Sequence, residues 1–428
     1  MRASKEFYGW HLICVLWLIY FINIGFVFYG SSLINTFMVL EMGFDRKTLG
    51  GGFALFHYVS GLSAPLAAYV INKKGIRTAL ALGSLVLVCG AVLMATVVRS
   101  TWVFLLVYGP VMGVGIGFGS VLSVQTGVTL WFNRKRALAM SLVLTASGIG
   151  GVVAAPSLNL LISTLSGNWR AAWLGVSVLC LVSVVMSVLC VRNRPSDLGQ
   201  VPDGIMPEGT GSRPSTGSKL GVHRTSRIWT RNQAMKTPSL WLIFIGIIGY
   251  FVPFMFCVAH GVIHLMDNGL SQGSASLSLG LLTLFSIVGR LLGGFLGDRI
   301  EPRHLGGISL LVLLAGVLAC MGAHDVVFMV LYASCVGIGF GCAFVMLPTL
   351  IGNYYGPDAF ASIVGMLAPL YTLFSASAPF AGGVIYDATG SYHMAFMASS
   401  GICALGACAI FLAREPERGE ESRSQPQV

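Results

Sequence analysis

Charge is what this chain lacks. Asp, Glu, Lys and Arg make up 10% of its 428 residues, against about 25% in a soluble domain. That deficit excludes a soluble globular fold. With 55% hydrophobic residues and a mean hydropathy of +0.80, it leaves an all-α, polytopic integral membrane protein. Ten cysteines are present, but none in a CxxC or Cys/His spacing. Cys14, Cys89, Cys180, Cys257, Cys335, Cys342 and Cys403 fall in apolar segments and read as small buried hydrophobes. This excludes a disulfide frame and a zinc site, and no cofactor is expected. No serine sits in a nucleophile elbow and no carboxylate pair lies inside an apolar run, so the chain is not expected to be an enzyme. The net charge of +10 resides in short loops without interleaved aromatics, which speaks against a nucleic-acid partner.

What is present is apolar sequence long enough to cross a bilayer twelve times. The expected spans are 10–37, 49–71, 79–98, 102–132, 137–165, 169–191, 240–266, 274–297, 305–322, 326–353, 361–386 and 394–413. The N-terminal run is too long for a signal-peptide core, and no small-residue cleavage site precedes the next segment, so it reads as a retained first helix. Lys and Arg outside the spans divide 21 to 4 in favour of the side carrying both termini. The positive-inside rule therefore predicts cytoplasmic termini in a cell membrane. Residues 193–238 are rich in Pro, Gly and Ser and read as a flexible cytoplasmic linker. The expected organisation is a six-helix bundle over 1–192, the linker, a second bundle over 239–414, and a solvated tail over 415–428. GIGFG occurs at 115–119 and again at 337–341. NKKGIR (72–77) and DRIEPR (298–303) repeat at nearly the same shift. Parallel six-helix repeats are the plan of one large transporter class, whose substrate sites lie at the repeat interface near mid-membrane.

One charge lies deep in a span. Arg290 is eight positions before Asp298, about 12 Å from the charged end of its helix. An unpaired guanidinium at such depth costs at least about 2.5–3.5 kcal/mol. No acidic residue is available in the spans, so the expected partner is a small organic anion whose carboxylate the guanidinium fork holds. Ser286, four positions earlier, shares its face. His57, with an unperturbed pKa near 6.5 for its type, is a candidate proton carrier, as is His260. His260 and His264 stand one turn apart, but no third ligand accompanies them and no metal is expected. The glycine runs at 113–119, 147–151 and 336–341 lie inside apolar helices. They read as close packing surfaces and not as nucleotide loops, which need a strand–turn–helix setting. Tyr29, Asn35, Phe118, Gln125, Tyr332, Phe344, Tyr371 and Ser375 are aromatics and small polars able to line a cavity.

GFLGDRIEPR (294–303), with its degenerate first-half copy AYVINKKGIR (68–77), resembles the loop signature of the major facilitator superfamily. The resemblance implies a gating role for Asn72, Lys73, Arg77, Gly294, Asp298 and Arg299. Within that superfamily, YGW (8–10), WFNRKRALAM (131–140), NWRAAW (168–173), RPSDLGQVPDG (194–204) and Arg290 are similar to the monocarboxylate transporter group. That group includes bacterial lactate transporters and, more distantly, the oxalate–formate exchanger. The resemblance implies a transporter of lactate- or pyruvate-like acids, working by alternating access with a proton as symported ion. It places Tyr29 and Tyr371 on cavity-facing helices, with Phe118 and Leu144 in the apolar wall. Two positions depart from the group: Ser286 stands where an Asp is common, and residues 30–40 hold no lysine. The eleventh span also lacks the second cation of the oxalate exchanger, which disfavours a dicarboxylate. Alternatives are transport of another organic anion, such as an aromatic acid or a sulfonate, an oxalate/formate-type exchange, and a membrane sensor that binds without transporting.

Overall fold

The computed structural model describes residues 6–43, 46–204 and 221–416. Among them there is no strand. Eleven helical stretches are long and apolar enough to cross a membrane, and one of these is 64 residues long. That stretch, Val326–Thr389, breaks at Gly356, whose φ of 77° only glycine adopts without strain. It therefore counts as two. The twelve helices are α1 (Gly9–Met38), α2 (Thr48–Lys74), α3 (Ile76–Thr96), α4 (Thr101–Trp131), α5 (Arg136–Thr164), α6 (Trp169–Leu189), α7 (Pro238–Asp267), α8 (Gln272–Gly297), α9 (Pro302–Met321), α10 (326–355), α11 (357–389) and α12 (His393–Leu412). The expected spans hold to within a few residues; the separation between the tenth and eleventh shrinks to the single turn at Gly356. Residues Gly9–Met38 form α1, and an even number of crossings puts the ends of the described chain, residues 6 and 416, on one face.

Three irregularities shape the first bundle. Residues Phe21–Tyr29 of α1 form a π-helical stretch. In α4, Pro110 sits in a second one, Val107–Val111, and Ser120 breaks the helix again. Large apolar side chains such as Leu62, Leu66, Leu160, Phe295, Phe380 and Leu405 point outward, as a lipid surroundings requires. Inside, the glycine runs let backbones touch. A Cβ on Gly339 would lie 2.6 Å from the Leu313 amide of α9, and one on Gly150 would lie 2.7 Å from Cα of Gly25 in α1. Gly289 and Gly341 do the same between α8 and α10. In lipid such small-residue contacts supply the packing that hydrophobic burial cannot.

The bundles meet along two seams, α2 with α11 and α5 with α8. Tyr58 and Ser377 exchange a hydrogen bond of 2.8 Å across the first. At the end that carries the chain termini and the linker, the seams are tied by polar groups. The Asp298 carboxylate, at the end of α8, accepts from the Ala137 and Leu138 amides of α5 at 2.9 and 3.1 Å. Those are orphan donors of a helix N-terminus, where a negative charge also meets the dipole favourably. Arg136 donates to the Phe132 carbonyl at 3.1 Å and to Asn353 Oδ1 of α10 at 2.6 Å. Asn72 donates to Ser362 at 2.7 Å, and Arg77 is anchored through its amide to Asn193. A Cβ on Gly294 would overlap Ser141, Lys73 bonds Tyr69, and Arg299 lies over Phe295. These are the positions of the six loop-motif residues.

The linker is not the loose tether its composition suggests, although residues 205–220 and the tail beyond 416 lie outside the described residues. Asp203 accepts from the amides of Asn133, Arg134 and Lys135 at 3.0, 2.7 and 3.3 Å. Arg224 donates to the carbonyls of Asn133 and Arg134 at 2.8 and 3.0 Å. The Thr225 amide reaches the Asn353 carbonyl at 2.8 Å, and Arg194 pairs with Asp358 at 2.9 Å. The described linker thus straps the α4–α5 turn to α10 and α11. Asp203→Ala removes an acceptor of three amides, a cap-type loss of about 0.5–2 kcal/mol. The expected result is a roughly 2- to 30-fold faster trypsin cut after Arg224 or Arg227, read by mass spectrometry; an unchanged rate refutes the strap.

Burial holds the Asp298 and Glu301 carboxyls above the usual carboxylate range, against the pull of amide hydrogen bonds and of Arg224 or His223 nearby. A carboxyl raised in the sealed form binds its proton more tightly there than when exposed. Acidification from neutral toward about pH 4 is therefore expected to favour the seal, and the contribution fades as pH rises through the raised values. Pulsed EPR between labels on the two bundles at this end checks it; widening on acidification contradicts it.

Candidate functional site

Between the bundles, lined by residues from the middle of several helices, lies a cavity of about 210 Å³. Its lining joins Tyr20, Tyr29 and His57 with Gln125 and Ser147 from the first bundle. Arg290, Phe344, Tyr371 and Ser375 come from the second. Arg290 is 3% exposed, and both Nε and Nη1 are buried without a hydrogen-bond partner. Orphaned buried donors of this kind are rare and call for an explanation. Room for the fork is made across the seam: a Cβ on Gly148 of α5 would come within 2.7 Å of Nη1. The guanidinium carbon stands 5.4 Å from the Phe344 ring centre. A cation–π contact supplies about 0.5–2 kcal/mol, less than the ~2.5–3.5 kcal/mol that burying the charge costs. A net deficit remains that an anion in the cavity would offset. Among the described residues the lining holds no Asp, Glu, Lys or second Arg.

Tyr20 is a lining residue that sequence reading missed. It and Tyr29 are nine positions apart in α1, about half a turn out of phase on an α-helix. The π-helical stretch between them has wider turns, and both rings reach the cavity. His57 is half-buried and ringed by Phe28, Phe53 and Phe56, at centroid distances of 5.0, 4.9 and 6.0 Å.

Six expected residues lie elsewhere. Ser286 is buried against α10 and donates to the Thr283 carbonyl of its own helix at 2.9 Å, so sharing a helix face with Arg290 does not bring it to the cavity. Phe118 and Leu144 are buried, 7% and 0% exposed, but are not in the lining; Ser147, one turn on from Leu144, is. Tyr332 spends its hydroxyl on the Cys257 carbonyl at 3.3 Å. His260 packs between Phe256 and Tyr392 and meets the Pro379 carbonyl at 2.8 Å. Asn35 and His264 are likewise outside the lining, and His264 contacts the Cys320 carbonyl at 3.1 Å. Among the described residues no cluster of His, Cys, Asp or Glu could hold a metal.

A family profile described as Major Facilitator Superfamily matches residues 16–266 and 257–427. The chain belongs to the Major Facilitator Superfamily. Its described helices give the superfamily's architecture, twelve crossings in two six-helix bundles. A major facilitator transporter, FucP, solved in the outward conformation superposes with a TM-score of 0.73, at 13% identity, over 94% of this chain and 98% of that one. Monocarboxylate transporter 2 of Rattus norvegicus is 24% identical over 417 residues, spanning 92% of this chain and 80% of the relative. Monocarboxylate transporter 13 of Bos taurus is 27% identical over 81% of this chain and 76% of its own length. The MFS transporter asaE of Aspergillus flavus is 24% identical over 81% of this chain and 73% of its own. This major facilitator protein is accordingly a multi-pass membrane transporter.

Proposed function

We propose that the protein transports small monocarboxylates of the lactate or pyruvate type by alternating access, with Arg290 holding the carboxylate. The observation that carries this reading is a buried guanidinium with two partnerless nitrogens in a cavity between the bundles. The names of the curated relatives support the same class. Tyr29, Phe344, Tyr371 and Ser375 contribute to the wall, joined by Tyr20 and Ser147. Ser286, Phe118, Leu144 and Tyr332 shape the helices behind it. The division at residues 192 and 239, cytoplasmic termini and residence in the cell membrane complete the proposal, on the charge count of the loops. The loop-motif residues and the linker strap then close the cytoplasmic end. For access to alternate, the Asp298 and Arg136 ties must break, and the occluded state must hold the anion better than the open ones.

His57 is the candidate coupling residue. Apart from Arg290 and tyrosines it is, among the described residues, the one titratable side chain in the lining, whereas His260 is committed to packing. Proteoliposomes carrying the full chain test the reading. Labelled lactate is expected to accumulate by counterflow, and an inward proton gradient is expected to accelerate uptake in the native protein but not in His57→Gln. Binding without counterflow rejects transport of this acid; a gradient response that survives His57→Gln removes the coupling role.

A further inference from the structure

The cavity carries more aromatic surface than a three-carbon acid can use. Phe344, beside the Arg290 guanidinium, stacks on Phe340 with centroids 5.5 Å apart and planes within 14°. Phe340 in turn stacks on Phe254 at 3.5 Å and 10°. All three rings line the cavity. A second stacked pair, Phe251 and Tyr371 at 5.2 Å and 5°, lines it as well, and Phe251 meets Phe340 at 6.1 Å. Among the described residues Arg290 is the only Lys or Arg in the lining, and the lining holds no carboxylate. With its carboxylate on Arg290, a lactate or pyruvate chain spans two C–C bonds and ends beside the first ring.

We infer that the site favours monocarboxylates whose tail is an uncharged planar aromatic ring, the ring lying along the Phe344–Phe340–Phe254 ladder. The inference rests on the Arg290 reading for the carboxylate and adds the tail. Aromatic pairs gain over equal apolar area by an amount worth roughly 2- to 10-fold in affinity. The matched comparison is phenylacetate with cyclohexylacetate, which share the carboxylate and the ring size but not the π face.

Isothermal titration of the detergent-purified full chain with phenylacetate, cyclohexylacetate and lactate makes the test. The expected result is phenylacetate tighter than cyclohexylacetate by about 2- to 10-fold, and that ratio falling to about one in Phe340→Leu. Phe254→Leu serves as the second variant if Phe340→Leu does not purify as a single species. Equal affinity for the two ring acids in the native protein overturns the tail assignment, as does a ratio that survives both variants. Lactate binding with neither ring acid bound also overturns it and leaves Arg290's role standing. Failure of all three acids to bind overturns both.

Discussion

Arg290→Ala is expected to abolish carboxylate uptake while raising the thermal stability of the purified protein. The two effects have one cause. Nε and Nη1 are buried without partners, so the resting protein carries a desolvation cost that the Phe344 contact only partly offsets. Removing the side chain relieves that cost. It also removes the one group in the lining that can form a charge-assisted bidentate bond with a carboxylate. Truncating one side of a buried charged pair costs about 2–5 kcal/mol of binding, at least ~30-fold in affinity and enough to take uptake to background. Arg290→Lys retains the charge but loses the planar fork, and is expected to keep only a small residue of activity. Proteoliposome uptake and thermal unfolding of the same preparations give both readings. Native-like uptake by Arg290→Ala would end the carboxylate assignment, and a loss of stability would show that the guanidinium has partners in the protein.

Gly341→Leu is expected to prevent assembly of the second bundle. A Cβ at Gly341 would overlap the Ser286 carbonyl oxygen and lie 3.0 Å from the Arg290 amide. Neither is the movable end of a side chain, so α8 and α10 must separate along the turn that carries Arg290. Overpacking by even a few methylenes costs about 1–3 kcal/mol where side chains can adjust, and here they cannot. Gly280→Leu, on the same α8 but with nothing within 4 Å of its Cβ position, is the matched control. Size-exclusion profiles are expected to show a folded control and an aggregated or absent Gly341→Leu. Two equal profiles would mean that the α8–α10 contact does not hold the fold together.

Both outcomes turn on features of unequal legibility. Arg290 stood out in the chain because charge is scarce and depth in a helix can be counted. Gly341 was legible as a packing glycine because it sits in an apolar run with no strand before it. The rotation of each helix about its axis was not. Leu144 and Ser147 lie less than one turn apart on α5, and only Ser147 reaches the cavity. Tyr20 was hidden by assuming 3.6 residues per turn through a stretch that is π-helical. Ser286 follows the same helix face as Arg290, yet the partner helix α10 closes over it.

The linker shows the same limit from the other side. Its Pro, Gly and Ser content describes a chain with no internal reason to order. Asp203 and Arg224 nonetheless lock onto amides and carbonyls of the α4–α5 turn, some 70 to 90 residues away in sequence. Composition reports what a segment can do alone, and the partners here are backbone groups with no signature in the letters.

Hydropathy, glycine spacing and one isolated cation were enough to set membrane residence, twelve crossings and a buried charge short of partners, because each is a local cost that the chain cannot evade. Which side chains share the cavity with that cation was left to the packing of helices against one another. Helix phase, π-helical turns and contacts between distant segments are collective properties, and they exist only once the bundles have closed.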